Sequence, residues 1–179
     1  MNKKYSRTYL LLCISFIPFV NSYAARESTA DFTVTYTYSA PSCDVTSAES
    51  NSVQMGTYWY EKFSEIGQET DPVTFHILLN CNRDIYDGIE VKFSGVTASD
   101  GSGDVLALDN TDDESTAQGI GVVIYDQNGN IIPIGQDSEA YTATSGDNDL
   151  EFKASYRTLA VPVTGGTANA TATFTIDYP

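Results

Sequence analysis

The feature that most constrains this chain is a strict two-residue alternation at its end. In residues 167–178, Ala168, Ala170, Ala172, Phe174, Ile176 and Tyr178 fall on one face of an extended chain, and Thr167, Asn169, Thr171, Thr173, Thr175 and Asp177 on the other. That period belongs to a β-strand with one face buried, since successive side chains of a strand point to opposite sides. The pattern recurs upstream. Ala30, Phe32, Val34, Tyr36 and Tyr38 alternate with polar residues, as do Val73, Phe75, Ile77, Leu79 and Cys81, then Ile89, Val91 and Phe93, then Leu150, Phe152, Ala154 and Tyr156. Residues 105–108 and 120–125 are short apolar runs of the kind that fill a buried strand. Asn128-Gly129 is a hairpin turn leading into a further apolar stretch at 131–134. Only residues 58–66, apolar at 60, 63 and 66, have spacing suited to a helical turn. Many short strands separated by Gly, Asn, Asp and Ser predict an antiparallel β-sandwich.

The chain begins differently. Lys3, Lys4 and Arg7 precede an apolar run at 9–20, too short to span a bilayer and carrying Ser15 and Pro18, and Ser22-Tyr23-Ala24 follows. A basic start, a short apolar stretch and a small-x-small site read as a secretory signal over 1–24. The remainder keeps all 24 acidic residues but six of the nine basic ones, a net charge of −18. That excludes the basic footprint nucleic-acid binding needs and disfavours an anionic membrane surface. No other apolar run suits a membrane span, so no membrane insertion is expected.

Two cysteines remain after the signal, Cys43 and Cys81, 38 residues apart. In an oxidising compartment a disulfide is the default expectation, adding roughly 4 kcal/mol by restricting the unfolded chain. The pair is not a CxxC redox motif, and with one histidine it completes no tetrahedral zinc site without carboxylates.

Little else suggests chemistry. His76, the only histidine, falls on the face of its strand opposite the apolar residues and reads as an ordinary surface residue. The acidic stretches at 109–114 and 126–130 lack the spacing of a calcium loop and read as a solvated loop and a hairpin turn. No catalytic constellation, metal set or cofactor motif stands out, so neither an enzyme nor a cofactor is expected. Tyr58, Trp59 and Tyr60 form an aromatic cluster, read first as core or a loop plug and otherwise as a sugar-stacking surface.

Taken together, the alternating extension ahead of Cys43, the spacing to Cys81 at the end of 75–81, the segments 91–96, 106–108 and 119–122, and the ending from Gly165 to Tyr178 resemble a pilin subunit of the chaperone–usher type. The likeness is to tip and rod subunits of type 1 fimbriae and covers nearly all of the exported chain. The ending is its most specific part, with Tyr178 penultimate and Gly166 fourteenth from the end. The resemblance implies an immunoglobulin-like antiparallel sandwich lacking its final strand, over 39–179, with a donor-strand extension over 25–38. It implies a structural subunit of an adhesive fimbria, exported through the periplasm to the cell surface. Its partners would be a periplasmic chaperone, an outer-membrane usher and neighbouring pilin subunits that exchange donor strands. Ala30, Phe32, Val34, Tyr36 and Tyr38 would be the donated face, and Gly166, Phe174, Ile176 and Tyr178 the acceptor groove and chaperone contact. Tyr36 departs from the pattern, standing where the family commonly carries glycine. The alternative reading is a single-domain fimbrial adhesin that binds a host glycan through Tyr58, Trp59 and Tyr60.

Overall fold

The computed structural model describes residues 42–46, 52–100 and 102–179. The signal expected over 1–24 and the donor face at Ala30, Phe32, Val34, Tyr36 and Tyr38 lie outside the described residues. Eight strands are described: β1 (Cys43–Val45), β2 (Val73–Cys81), β3 (Ile85–Ser94), β4 (Val105–Leu106), β5 (Ile120–Tyr125), β6 (Tyr141–Ala143), β7 (Gly146–Thr158) and β8 (Thr173–Asp177). They form a five-stranded sheet in the order β1-β2-β7-β5-β4 and a three-stranded sheet in the order β6-β3-β8. Every ladder between named strands is antiparallel. The fold is the expected all-β sandwich of immunoglobulin-like type, and it does not close.

The two-residue period explains the core. On β2, Ile77, Leu79 and Cys81 turn inward, and β7 answers with Leu150, Phe152 and Ala154. From the facing sheet come Ile89, Val91 and Phe93 of β3. Phe152 is fully buried and packs its ring against Phe93 at 5.2 Å, Tyr141 at 5.3 Å and Phe75 at 5.6 Å between centroids. The Cys43–Cys81 disulfide is formed and joins β1 to β2 at one edge, where the two cysteines stand opposite each other. At β3 the register slips between Ile85 and Ile89, so both residues face the core. Gly88 sits at this irregularity with φ +83°, and a Cβ there would lie 2.8 Å from the Tyr141 carbonyl oxygen, so the close approach of β6 requires glycine.

Four sequence expectations change. Residues 131–134 form no strand; Ile131 makes a single bridge to Tyr125, and Pro133 has no N–H to extend a ladder. That segment instead crosses between the sheets, since the Ile132 N–H donates to the Ile124 carbonyl and the Gly135 N–H to that of Phe93. The apolar run at 105–108 pairs only over β4. The final strand pairs only from Thr173 onward, because its partner β3 ends at Ser94. The helical spacing at 58–66 resolves to a single 3-10 turn, Tyr60–Lys62, which leaves Ile66 exposed and buries only Phe63.

Candidate strand-acceptor groove

The opening in the sandwich is a groove of about 560 Å³. Its floor is Phe75 and Ile77 of β2, Phe93 of β3, and Ala154 and Tyr156 of β7. One side takes Leu106, Val122 and Ile124 from β4 and β5, with residues 52–56 beside them. The other side is the stretch of small residues Ala168, Ala170 and Ala172, ending at Phe174. The alternating face read from the sequence therefore points into the groove over 168–174. Because three of its four residues are alanine, that wall is thin, and space remains where a larger side chain would close the sandwich.

The two sides of the groove differ in how their backbone is held. Among the described residues β8 is the outer strand of its sheet, laddered to β3 alone. Ahead of it, residues 168–172 are held by the Asp109 N–H donating to the Asn169 carbonyl at 2.7 Å, the Thr171 hydroxyl donating to Asp109 at 2.7 Å, and the Tyr156 hydroxyl donating to the Ala168 carbonyl at 2.7 Å. Burial pushes the Tyr156 phenol pKa up, which keeps it a neutral donor. Across the groove, residues 52–58 make no backbone hydrogen bond to another described residue. Among the described residues the outer edge of β8 and the segment 52–58 thus border a trough with an apolar floor, the situation in which an added strand gains both a ladder and a buried face.

The residues singled out in the sequence separate on inspection. Phe174 lines the groove, with its ring 6.4 Å from that of Phe93. Ile176 packs half-buried against the main core. Gly166 is not part of the groove lining; its absent Cβ would fall 2.5 Å from the Ser115 carbonyl oxygen and the Ala117 nitrogen. It lets residues 164–167 lie on 115–118, where Thr116 and Gln118 bridge to Thr167 and Thr164. Tyr178 reaches the far edge of the other sheet, and its oxygen accepts the Cys43 N–H at 2.8 Å.

The aromatic cluster also divides. Tyr58 packs edge-on against Phe63 and Tyr156, whereas Trp59 is 78% and Tyr60 60% exposed. His76 pairs with Asp149 across the outer face of the sheet at 2.8 Å. Asp126 is buried, and its carboxylate accepts both the backbone and the side-chain N–H of Asn130, closing the hairpin turn. Asp113 accepts the Ser115 N–H, and that bond holds its carboxyl below the usual range. Sequence reasoning missed Val53, Met55 and Leu106 as groove residues. Their only signal was apolarity, without a period to give it direction.

An unclosed sandwich with an apolar trough beside its last strand defines a strand-accepting module. The chain belongs to the fimbrial protein family: the model of the family described as "Fimbrial protein" matches residues 30–179. It is similar to a type 1 fimbrial subunit of Salmonella typhimurium, 34% identical over 138 residues, covering 74% of this chain and 73% of that one. A C-chain type-1 fimbrial protein of Escherichia coli is 36% identical over 135 residues, covering 74% and 73%. Among solved structures, a Burkholderia pseudomallei antigen and type I fimbria protein superposes with a TM-score of 0.58 at 30% identity, covering 78% of this chain and 99% of that one. The P pilus rod subunit shares the fold, with a TM-score of 0.63 at 23% identity over 76% and 99%. The chain is a type 1 fimbrial subunit of the chaperone–usher class, a structural protein of the extracellular fimbrium and not an enzyme.

Proposed function

We propose that the groove receives one extended strand from a neighbouring subunit, and that residues 25–38 are the strand this subunit gives in turn. Residues 39–179 are then the accepting body. The observation that carries this reading is the trough floored by Phe75, Ile77 and Phe93, with the outer edge of β8 free of a ladder among the described residues. A periplasmic chaperone would occupy the trough and the β8 edge during export, and at the usher the next subunit's extension would replace it. Ladder bonds supply strength, while side chains of alternate donor residues seat against Phe75, Phe93 and Phe174.

The test compares two chains exported to the periplasm. One is residues 39–179; the other carries residues 26–38 appended after Pro179 through a flexible linker. The expected outcome is a melting midpoint tens of degrees higher in the second, because a tethered strand binds only the folded body. Equal midpoints would mean the body is already complete, and the reading would fail. If neither chain folds, the same comparison with a neighbouring subunit's extension decides it, since Tyr36 replaces the usual glycine.

A second reading rests on the exposure of Trp59 and Tyr60. Two adjacent aromatic faces open to solvent suit stacking against a sugar ring, which would make the subunit an adhesin as well. Trp59→Ala should then abolish glycan binding and leave fibres intact; unchanged binding would remove this reading.

A further inference from the structure

Exposed apolar side chains gather at one place on the body. Trp59, Tyr60 and Ile66 are 78%, 60% and 68% exposed, and nowhere else among the described residues do three large exposed apolar side chains fall so close together in the chain. The segment is firmly held. The Lys62 N–H donates to the Trp59 carbonyl and the Phe63 N–H to that of Tyr60, each at 3.0 Å, and Phe63 is buried. Tyr58, immediately before, packs its ring 6.0 Å from that of Tyr156, whose hydroxyl donates to the Ala168 carbonyl. The turn therefore stands at the Ala168 end of the groove. Lys62 is exposed and has no ion-pair partner among the described residues, although Lys92, Lys153 and Arg157 each have one.

That end of the groove is where a neighbour's body comes closest. Every ladder between named strands is antiparallel, the more stable arrangement per residue. A strand added along β8 by the same rule runs against the direction 168–174 and finishes, in its own chain sense, beside Ala168. In a second copy of this chain the body begins directly after the donated segment. Four Cα steps join Tyr38 to Ser42, a reach of at most about 14 Å by any path. The edge that starts at Ser42 carries exposed carboxylates. Asp44 and Asp147 flank Asn80 in register across β1, β2 and β7, and Asp84 stands in the adjoining turn between β2 and β3.

We propose that Trp59, Tyr60 and Ile66 are the docking surface for the body of a second copy of this chain, the copy whose strand fills the groove, with Lys62 set against the carboxylates of its disulfide edge. The proposal rests on the donor reading of residues 25–38 and adds a contact that the strand itself does not make. Two bodies with a net charge of −18 each repel, so an apolar patch carrying an unpaired cation is the kind of surface that brings them together. Contact between two unlike surfaces propagates head to tail instead of closing on itself, as a fibre requires.

Trp59 is the only tryptophan of the chain, so its fluorescence reports on the contact without any substitution. The test compares fibres of the full exported chain with the same chain held monomeric by excess synthetic peptide of residues 26–38, which fills the groove and brings no body. In fibres the emission should move to shorter wavelength and acrylamide quenching should fall severalfold. In the peptide-filled monomer both should stay those of an exposed ring. Lys62→Glu should make subunit loss from fibres about tenfold faster at low salt, and added salt should narrow the difference. Lys62→Glu fibres as durable as wild type at low salt overturn the part given to Lys62. Trp59 equally quenchable in fibre and monomer overturns the whole proposal and returns the turn to the sugar reading. Peptide binding without assembly overturns the second copy as occupant. A chain that neither binds the peptide nor assembles fails the donor reading itself, a result distinct from assembly with Trp59 still exposed.

Discussion

The two ends of the sandwich are made of the same kind of sequence and finish differently. At the closed end β2 is laddered to β7, the disulfide ties its edge, and Leu79, Ile89, Val91 and Phe152 are almost fully buried. At the open end β4 is two residues long, residues 168–172 have no ladder, and Phe174 is half-buried. Both ends alternate apolar and polar residues. Among the described residues the difference is the number of partner strands, so the open end does not reflect a poorly patterned sequence.

Removing the closed end's main filler should break that contrast most severely. Phe152→Ala deletes a fully buried ring packed against three others and should cost about 3–5 kcal/mol in urea unfolding. Replacing both Cys43 and Cys81 with serine should come next, at about 2–5 kcal/mol, because the cross-link closes a 38-residue separation. A variant costing under about 1 kcal/mol in either case would show that the closed end is not what holds the body together.

The open end should respond in the opposite sense. Ala170→Trp puts a large apolar group into the trough. Folding stability should change by no more than about 1 kcal/mol, while affinity for a donor peptide falls at least tenfold. Titration with a fluorescent peptide measures the second quantity. Undiminished binding would place the accepting surface elsewhere.

How much of this was legible depended on whether a residue's direction could be read from period alone. β2 and β5 appear in the structure over the residues their patterns predicted, and the face formed by Ala168, Ala170, Ala172 and Phe174 points where alternation places it. β1 and β6 have three residues each, fewer than a period-two pattern needs to be recognised. Tyr58, Trp59 and Tyr60 read as one cluster, but in an extended segment neighbours turn to opposite sides, so Tyr58 packs inward while Trp59 faces solvent. Gly166 was legible as special and not in its role, because a close approach to 115–117 depends on a loop some fifty residues away, as the 52-residue separation of the Thr167–Ser115 hydrogen bond illustrates.

The smallest expected effect lies where the two ends meet, on the outer face of β3 and β8. Lys92 contacts Asp137 at 2.8 Å and Asp177 at 3.5 Å, with Glu90 opposite Asp177 in the ladder, so a single cation serves a crowd of carboxylates. The hydrogen bond from Lys92 holds the Asp137 carboxyl below its usual 3.8, and the same bond raises the Lys92 ammonium above 10.5. A depressed carboxylate stabilises the fold above its unfolded value and loses that contribution as the pH falls through the lower folded one. A raised ammonium contributes below its unfolded value and loses that contribution only as the pH rises through the higher folded one. The acid side therefore belongs to Asp137. Wild type should be the more stable of the pair at pH 7, and Asp137→Asn should narrow the gap as the pH drops below 3.8, until urea midpoints converge. Because the pair is partly exposed, the difference should also shrink with added salt. A gap that persists at low pH would mean that the difference does not come from the charge of Asp137.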